Sequence, residues 1–274
     1  MLFRSGGKPF EAGRNEVNLA LSTRQTGSSI KIFILAAAVQ AGAQNDDLID
    51  GTRPCVLPNP DDPKNPFVIS EGVSREVSPL EEMTWYSINC AYARLSQIVG
   101  LDRVVHTVYR MAKSDFLYEG QSSIERRPIV PFASFATGAN EMSALDMASG
   151  AQTLANGGVH VEPYFIERIE GPSGPLFEHQ AKSERVLTED AALRTTRILE
   201  GVLQKGTARR SALDGRTAAG KTGTQDNNTN AWFVGYTPEL TTAVWVGHPD
   251  LYLPMENIPE FAAVGVPRVQ GGTF

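Results

Sequence analysis

The most apolar run of the chain, Ile32 to Ala43, constrains the fold more than any other feature of the sequence. Gln40 interrupts it. The run is well short of the ~20 residues that cross a bilayer, but it is long enough for a helix that other elements cover on several sides. The sequence therefore predicts a buried core helix from Ser28 to about Ala43, in a chain of 274 residues that can bury a large core.

Helix signals continue as far as residue 157. Ser78 carries an N-cap pattern, with proline at the next position and glutamate three residues on, and this predicts a helix that begins directly after it. An amphipathic pattern predicts another helix from Ser143 to Leu154, ended by an Asn-Gly-Gly string. The region of about 28–157 is therefore predicted to be mostly helical.

Strand signals follow this helical region. Four short strands are predicted, at 159–169, 217–224, 231–236 and 240–247. Because adjacent strands with tight connections pair antiparallel, the predicted fold class is α+β: an antiparallel sheet flanked by helices, with a mostly helical subdomain. We expect a single domain over residues 1–274, with its sheet part drawn from 1–22 and 159–274.

Charge and cysteine content argue against several classes of protein. A formal net charge of −6 disfavours a nucleic-acid-binding protein, which would present a basic face. The two cysteines, Cys55 and Cys90, form no paired motif, and we interpret them as small buried hydrophobic residues rather than a disulfide framework. The four histidines are scattered and show no metal-ligand spacing. The sequence predicts neither a metal site nor a cofactor.

Three short strings could carry chemistry: Ser-x-x-Lys at 28–31, Ser-x-Asn at 87–89 and Lys-Thr-Gly at 221–223. On a helix, positions i and i+3 share a face, so the Ser28 hydroxyl and the Lys31 amine would lie close together. A serine needs a base, and a lysine can serve only when neutral, with its pKa lowered from about 10.4. Burial in an apolar helix and a second cation nearby both lower the pKa of a lysine. We therefore predict Ser28 as nucleophile and Lys31 as base.

Each string taken alone is a weak signal. Average composition gives about one Ser-x-x-Lys by chance in a chain of this length, and Ser5 to Lys8 is a second example. The two glycines inside that second string, and the proline after it, cannot hold a helical face. For Ser28 alone, an N-capping serine followed by a solvated lysine remains an alternative.

Taken together and in order, the three strings resemble the motifs of penicillin-binding proteins and serine β-lactamases. The similarity extends to Arg-Gln-Thr-Gly-Ser-Ser-Ile-Lys at 24–31, Lys-Gly-Thr-Ala at 205–208 and Ala-Gly-Lys-Thr-Gly-Thr at 219–224. Over nearly its whole length the chain resembles the transpeptidase domain of a bifunctional, class A penicillin-binding protein. The resemblance implies the fold shared by penicillin-binding proteins and serine β-lactamases.

The resemblance also implies roles for five catalytic residues at matching positions. Ser28 would attack the D-Ala-D-Ala bond of a peptidoglycan stem peptide, and Lys31 would take its proton. Ser87 would return that proton to the leaving D-alanine, while Asn89 would hold the substrate amide and orient Lys31. Lys221 would keep the site electropositive.

Three further positions are implied in substrate binding. The hydroxyls of Thr222 and Thr224 would receive the terminal carboxylate of the substrate. Gly223 would leave room for the acyl group. The backbone N–H groups of Ser28 and Thr224 would form the oxyanion hole.

The implied reaction is D,D-transpeptidation, in which the amine of a second stem peptide attacks the acyl-enzyme and forms a cross-link. β-Lactams would acylate the same serine as covalent inhibitors. A class A β-lactamase needs a Glu-x-x-x-Asn string between the second and third motifs, and none occurs there; the middle motif is also Ser-Ile-Asn rather than Ser-Asp-Asn. Two alternatives stay open: a D,D-carboxypeptidase, and a non-catalytic penicillin-binding sensor or degenerate domain.

The chain departs from the family pattern at three places and at its ends. The family usually has proline at the positions of Thr26 and Ile32, and aspartate at that of Asn230. A class A protein also has a membrane span, a glycosyltransferase domain and a final helix that this chain lacks. We therefore expect a domain truncated at both ends, from a membrane-anchored parent that acts on the outer face of the bacterial cell membrane.

Overall fold

The computed structural model describes residues 18–113 and 129–273. In these ranges the α-helices are α1 (Lys31–Gln40), α2 (Leu80–Trp85), α3 (Asn89–Val99), α4 (Leu101–Ala112), α5 (Ala144–Ala155), α6 (Glu189–Gln204) and α7 (Pro259–Ala262). The strands are β1 (Arg24–Gln25), β2 (Leu48–Gly51), β3 (Cys55–Leu57), β4 (Phe67–Ile69), β5 (Arg75–Pro79), β6 (Glu141–Met142), β7 (Val159–Val161), β8 (Arg168–Gly171), β9 (Gly174–Glu178), β10 (Ser183–Arg185), β11 (Ala219–Thr224), β12 (Asn230–Tyr236) and β13 (Thr241–Gly247).

Helix α1 is the centre of the core. Every side chain from Lys31 to Val39 is buried, and the helix packs against α3, α4 and α6. The predicted buried core helix is thus confirmed, although it ends at Gln40 and is preceded by a 3₁₀ turn, Gly27–Ile30. Because α1 is covered by several elements, its first residue, a lysine, is carried into the interior with the apolar residues.

A three-stranded antiparallel sheet lies beside the helices, in the order β11-β12-β13. Helix α6 packs on β11, and α5 packs on β12 and β13. The three strands start and end within two residues of the predicted limits. An α+β fold, with an antiparallel sheet flanked by helices, is confirmed.

Two predictions of local structure are wrong in part. The helix predicted to begin directly after Ser78 is present as α2, which begins at Leu80, but Ser78 does not cap it, because its backbone pairs with Ile49 in the β2–β5 ladder. Residues 159–169 are not one strand, because only β7 and the start of β8 are extended there, and Pro163 lies between them. Proline has no N–H to contribute to a ladder, so it breaks the run.

The cysteines are also corrected by the structure. Cys55 of β3 and Cys90 of α3 form a disulfide across a sequence separation of 35 residues. Both residues are buried, as predicted, but they are not free thiols. The bridge joins the β3–β4 hairpin to the residue that directly follows Asn89. Within the described ranges, no helix has the length and apolar character needed to cross a membrane.

Candidate active site

The predicted nucleophile lies on the 3₁₀ turn that leads into α1. Ser28 is half-buried and lines a cleft of about 810 Å³. Gly27 before it has φ +51°, and a Cβ there would lie 2.7 Å from the Thr224 carbonyl oxygen. Glycine therefore lets the end of β11 reach the backbone of the turn. No side chain or backbone group in the described part of the chain forms a hydrogen bond with the Ser28 hydroxyl.

The second motif lies where α2 ends and α3 begins. Ser87 has φ +58°, a left-handed conformation that is uncommon for a residue other than glycine. Its N–H donates to the Thr84 carbonyl at 3.1 Å, and the N–H of Ile88 donates to the Met83 carbonyl at 3.0 Å. These two bonds close the C-terminus of α2 as a Schellman motif. The strained position turns Ser87 toward the cleft, and Asn89 follows as the first residue of α3.

Lys31 is completely buried beneath this motif. Its Nζ donates to the Ser87 carbonyl at 2.8 Å, to Asn89 Oδ1 at 2.7 Å and to Ser87 Oγ at 3.3 Å. It also lies 5.3 Å from the centre of the Tyr92 ring. The Asn89 side chain is thus in direct hydrogen-bond contact with the buried amine of Lys31.

Lys221, from β11, approaches Ser87 from the opposite side. It too is completely buried, and its Nζ donates to Ser87 Oγ at 2.8 Å and to the Thr222 carbonyl at 3.0 Å. One serine hydroxyl therefore bridges two buried amines. We call Lys31, Ser87, Asn89 and Lys221 the floor of the cleft.

Burial disfavours the charged form of both amines. It lowers the pKa of Lys221 to about 7. Burial, and then the nearby charge of Lys221, hold the pKa of Lys31 well below the usual value for lysine. A neutral amine has two N–H groups and one lone pair; the Ser87 carbonyl and Asn89 Oδ1 can accept both N–H bonds. The lone pair of Lys31 then remains to take a hydroxyl proton.

The third motif forms the edge strand beside the nucleophile. The hydroxyls of Thr222 and Thr207 lie 2.7 Å apart, and Thr224 Oγ1 accepts a hydrogen bond from the Gly271 N–H at 3.1 Å. Both Thr222 and Thr224 line the cleft. Two hydroxyls that line the same cleft can bind a carboxylate.

Gly223 lies against the nucleophile turn, whereas the resemblance implies that it leaves room for the acyl group. A Cβ at this position would lie 2.5 Å from the Thr26 carbonyl oxygen and 2.8 Å from the Ser29 nitrogen. Its missing side chain therefore faces the nucleophile turn rather than space for an acyl group. Glycine is needed here because β11 presses directly on the turn.

The eight predicted site residues converge on one cleft. Five of them line it: Ser28, Ser87, Asn89, Thr222 and Thr224. The two lysines lie buried behind these residues, and Gly223 joins the strand to the turn. The competing string from Ser5 to Lys8 lies outside the described residues.

Sequence reasoning missed two residues of the site. Tyr92 lies three residues after Asn89 on α3, so helical spacing places both on the face toward Lys31. That spacing could have identified it. Thr207 belongs to the Lys-Gly-Thr-Ala string, yet only the folded structure brings its hydroxyl to Thr222.

The three departures from the family pattern lie at buried positions. Thr26 and Ile32 are buried, and the Asn230 side chain accepts a hydrogen bond from Trp245 Nε1 at 2.8 Å. None of them appears among the hydrogen-bond partners of Lys31 or Lys221.

Comparison with known proteins gives one consistent result. The family described as penicillin binding protein transpeptidase domain matches residues 8–250. Penicillin-binding protein 1A of Aquifex aeolicus is 31% identical over 227 residues, which are 82% of this chain and 29% of that protein. Its counterpart in Mycolicibacterium smegmatis is 30% identical over 93% of this chain and 33% of its own length. The chain thus spans about a third of the length of these curated relatives.

Solved structures show the same fold. The PonA1 protein from Mycobacterium tuberculosis in complex with penicillin V superimposes with a TM-score of 0.76 and 26% identity. The match covers 94% of this chain and 68% of that one. Penicillin-Binding Protein 1A from Haemophilus influenzae gives a TM-score of 0.72 at 23% identity, over 86% of this chain and 40% of that chain.

Proposed function

Because the chain belongs to the penicillin-binding protein transpeptidase family, we propose that it is a serine D,D-transpeptidase domain that cross-links peptidoglycan stem peptides. One observation carries the proposal: a buried lysine with a lowered pKa, Lys31, lies under a cleft that a serine, Ser28, lines. We propose further that residues 1–274 form a single catalytic domain. The longer parent protein would be anchored at the outer face of the bacterial cell membrane.

The first half of the reaction is acylation. Ser28 Oγ attacks the carbonyl carbon of the penultimate D-alanine, and its proton passes to Lys31 Nζ. The tetrahedral oxygen accepts hydrogen bonds from the backbone N–H groups of Ser28 and Thr224. The C–N bond then breaks, and the proton reaches the leaving D-alanine amine through Ser87. An ester on Ser28 and free D-alanine result.

The second half transfers the acyl group. The amine of another stem peptide attacks the ester carbonyl, its proton goes to Lys31, and Ser28 leaves as an alcohol that regains a proton. The new amide is the cross-link. Lys221 holds positive charge next to Thr222 and Thr224, where the terminal carboxylate of the donor binds.

β-Lactams would acylate the same serine, because their strained amide and carboxylate resemble the D-Ala-D-Ala end. Hydrolysis of the resulting ester needs a base-activated water. The glutamate string that supplies one in class A β-lactamases is absent between the second and third motifs of the sequence. The acyl-enzyme is therefore expected to persist.

Incubation with a stem-peptide donor and an amine acceptor tests the proposal. Cross-linked product that disappears in Ser28→Ala supports it. Hydrolysed donor without any cross-linked product would instead identify a D,D-carboxypeptidase. A folded protein that turns over no donor, but binds penicillin once, would identify a non-catalytic sensor. Ser5→Ala is the matched control, because it removes the serine of the competing Ser-x-x-Lys string, and it should react like the unaltered chain.

A further inference from the structure

The charged residues that line the cleft are all cationic. Four cationic side chains line it, and we call them the basic rim: Lys205, Arg209, Arg210 and Arg268. No aspartate or glutamate is among the cleft-lining residues that the structure describes. A chain with a net charge of −6 therefore concentrates positive charge at its candidate site.

Most of the charge of the basic rim is not neutralised. Among the described residues, no carboxylate lies within ion-pair distance of Arg209 or Arg210. Lys205 lies 4.3 Å from the Trp85 ring centre, a contact that leaves its charge uncompensated. Only Arg268 has an acidic partner, Glu256, at 3.3 Å. The rim can therefore attract an anion from solution.

The backbone holds the rim in a fixed place. Arg209 and Arg210 open a short 3₁₀ turn after α6. The Thr207 N–H donates to the Trp85 carbonyl at 3.0 Å, and the N–H of the buried Ala208 donates to the Val202 carbonyl at 3.1 Å. The Thr207 hydroxyl in turn meets that of Thr222. The rim is thus anchored beside the strand edge where the proposed function places the donor carboxylate.

In the proposed reaction, the acceptor amine enters the cleft on the side of the basic rim. Attack of an amine on the acyl-enzyme is the chemical reverse of amide cleavage, so the acceptor amine approaches along the path by which D-alanine leaves. D-Alanine leaves on the side of its own carboxylate, next to Thr222. An acceptor therefore passes the basic rim before it reacts.

We propose that the basic rim is an acceptor subsite, which selects amine acceptors that carry a further free carboxylate. The proposal rests on the proposed function and adds the substrate class of its second step. Exposed cations attract such an acceptor through their field and bind its additional carboxylate as an ion pair. An acceptor whose additional carboxylate is blocked as an amide loses this attraction.

The experiment compares D-glutamate with D-glutamine as acceptors for a D-alanyl thioester donor. The two amines share a skeleton and differ by one carboxylate. The readout is the ratio of amide product from D-glutamate to that from D-glutamine, measured for each variant at low and at raised salt. We expect the unaltered chain to favour D-glutamate by about fivefold at low salt, as one ion pair near water predicts. Raised salt should reduce the ratio.

The double variant R209Q/R210Q should bring the ratio close to one. Arg216→Gln is the control: Arg216 pairs with Glu239 and is not among the cleft-lining residues, so this change should leave the ratio as it is. Thermal melting shows whether each variant is folded.

An unaltered chain that uses both acceptors equally, or a preference that survives in R209Q/R210Q, overturns the subsite. These results differ from failure of the proposed function, in which the thioester would not acylate Ser28 or would transfer to no amine.

Discussion

The floor and the basic rim of the cleft carry charges of the same sign in opposite environments. Lys31 and Lys221 have no exposed surface, whereas Arg209 and Arg210 are exposed. Burial penalises the charged form, so the floor amines have lowered pKa values and can take up protons. Exposed guanidinium groups can attract an anion from solution and pair with it. The depth of a cationic side chain, and not its residue type alone, therefore decides how readily it exchanges a proton.

The largest effect is expected from removing the floor base. In Lys31→Met the hydrogen bonds to the Ser87 carbonyl and Asn89 are lost, together with the amine that we assign as acceptor of the Ser28 proton. Acylation by a fluorescent penicillin should slow by about 10³-fold, within the range for loss of a general base. Stopped-flow rates measure this. A loss of less than about tenfold would mean that another group is the base.

Removal of the second floor amine should have a smaller effect and a distinctive pH signature. The positive charge of Lys221 helps to lower the pKa of Lys31. Because acylation needs neutral Lys31, the rate rises as pH rises through the pKa of Lys31. In Lys221→Met that pKa rises, so the acidic limb of the rate profile should move to higher pH, and the rate should fall by about 10²-fold. An acidic limb that moves to lower pH would contradict the coupling.

The disulfide is next to the floor in the sequence and contains no residue of the rim. Cys90 directly follows Asn89, and its bridge to Cys55 closes a loop across 35 residues. The double variant C55A/C90A should lower the free energy of unfolding by about 2–4 kcal/mol, as expected from loop-closure entropy. Denaturant titration under non-reducing conditions measures the change. A difference of less than about 0.5 kcal/mol would show that the bridge adds little.

The smallest effect is expected at the rim itself. Arg210→Gln removes one cation from the same cleft as Lys221→Met, but an exposed charge is screened by water and salt. The acidic limb of acylation should therefore stay within about 0.3 pH units of its position in the unaltered chain. Parallel pH profiles of the two variants make the comparison. A limb that moves as far as in Lys221→Met would remove the distinction between floor and rim.

Two predicted helix starts show what local sequence can and cannot predict. The amphipathic helix predicted from Ser143 does begin there, and the Ser143 hydroxyl accepts the Asp146 N–H in a capping box at the start of α5. Ser78 carries an N-cap pattern, but its backbone is taken up by the ladder with β2. A helix cap depends on residues three positions away in the sequence, so its pattern can be recognised in the sequence alone. A strand ladder depends on a partner that is distant in the sequence, and where such a ladder forms it overrides the local cap pattern.

The candidate site also has features that the sequence predicts and features that it does not. The ordered motifs were enough to nominate Ser28, Lys31 and Lys221, because their chemistry requires those residue types. The left-handed backbone of Ser87 could not be foreseen, since a serine seldom adopts it. Nor could the cysteine bridge or the basic rim, because tertiary packing alone brings their members together.

The most direct test of the account is the intact mass of the protein after brief exposure to benzylpenicillin, followed by peptide mapping of the adduct. The account predicts one stable penicilloyl group on Ser28, absent in Ser28→Ala and retained in Ser5→Ala. An adduct that forms and then quickly disappears would indicate a β-lactamase. An adduct on any other residue, or none on a folded protein, would contradict the assignment of Ser28 as the nucleophile.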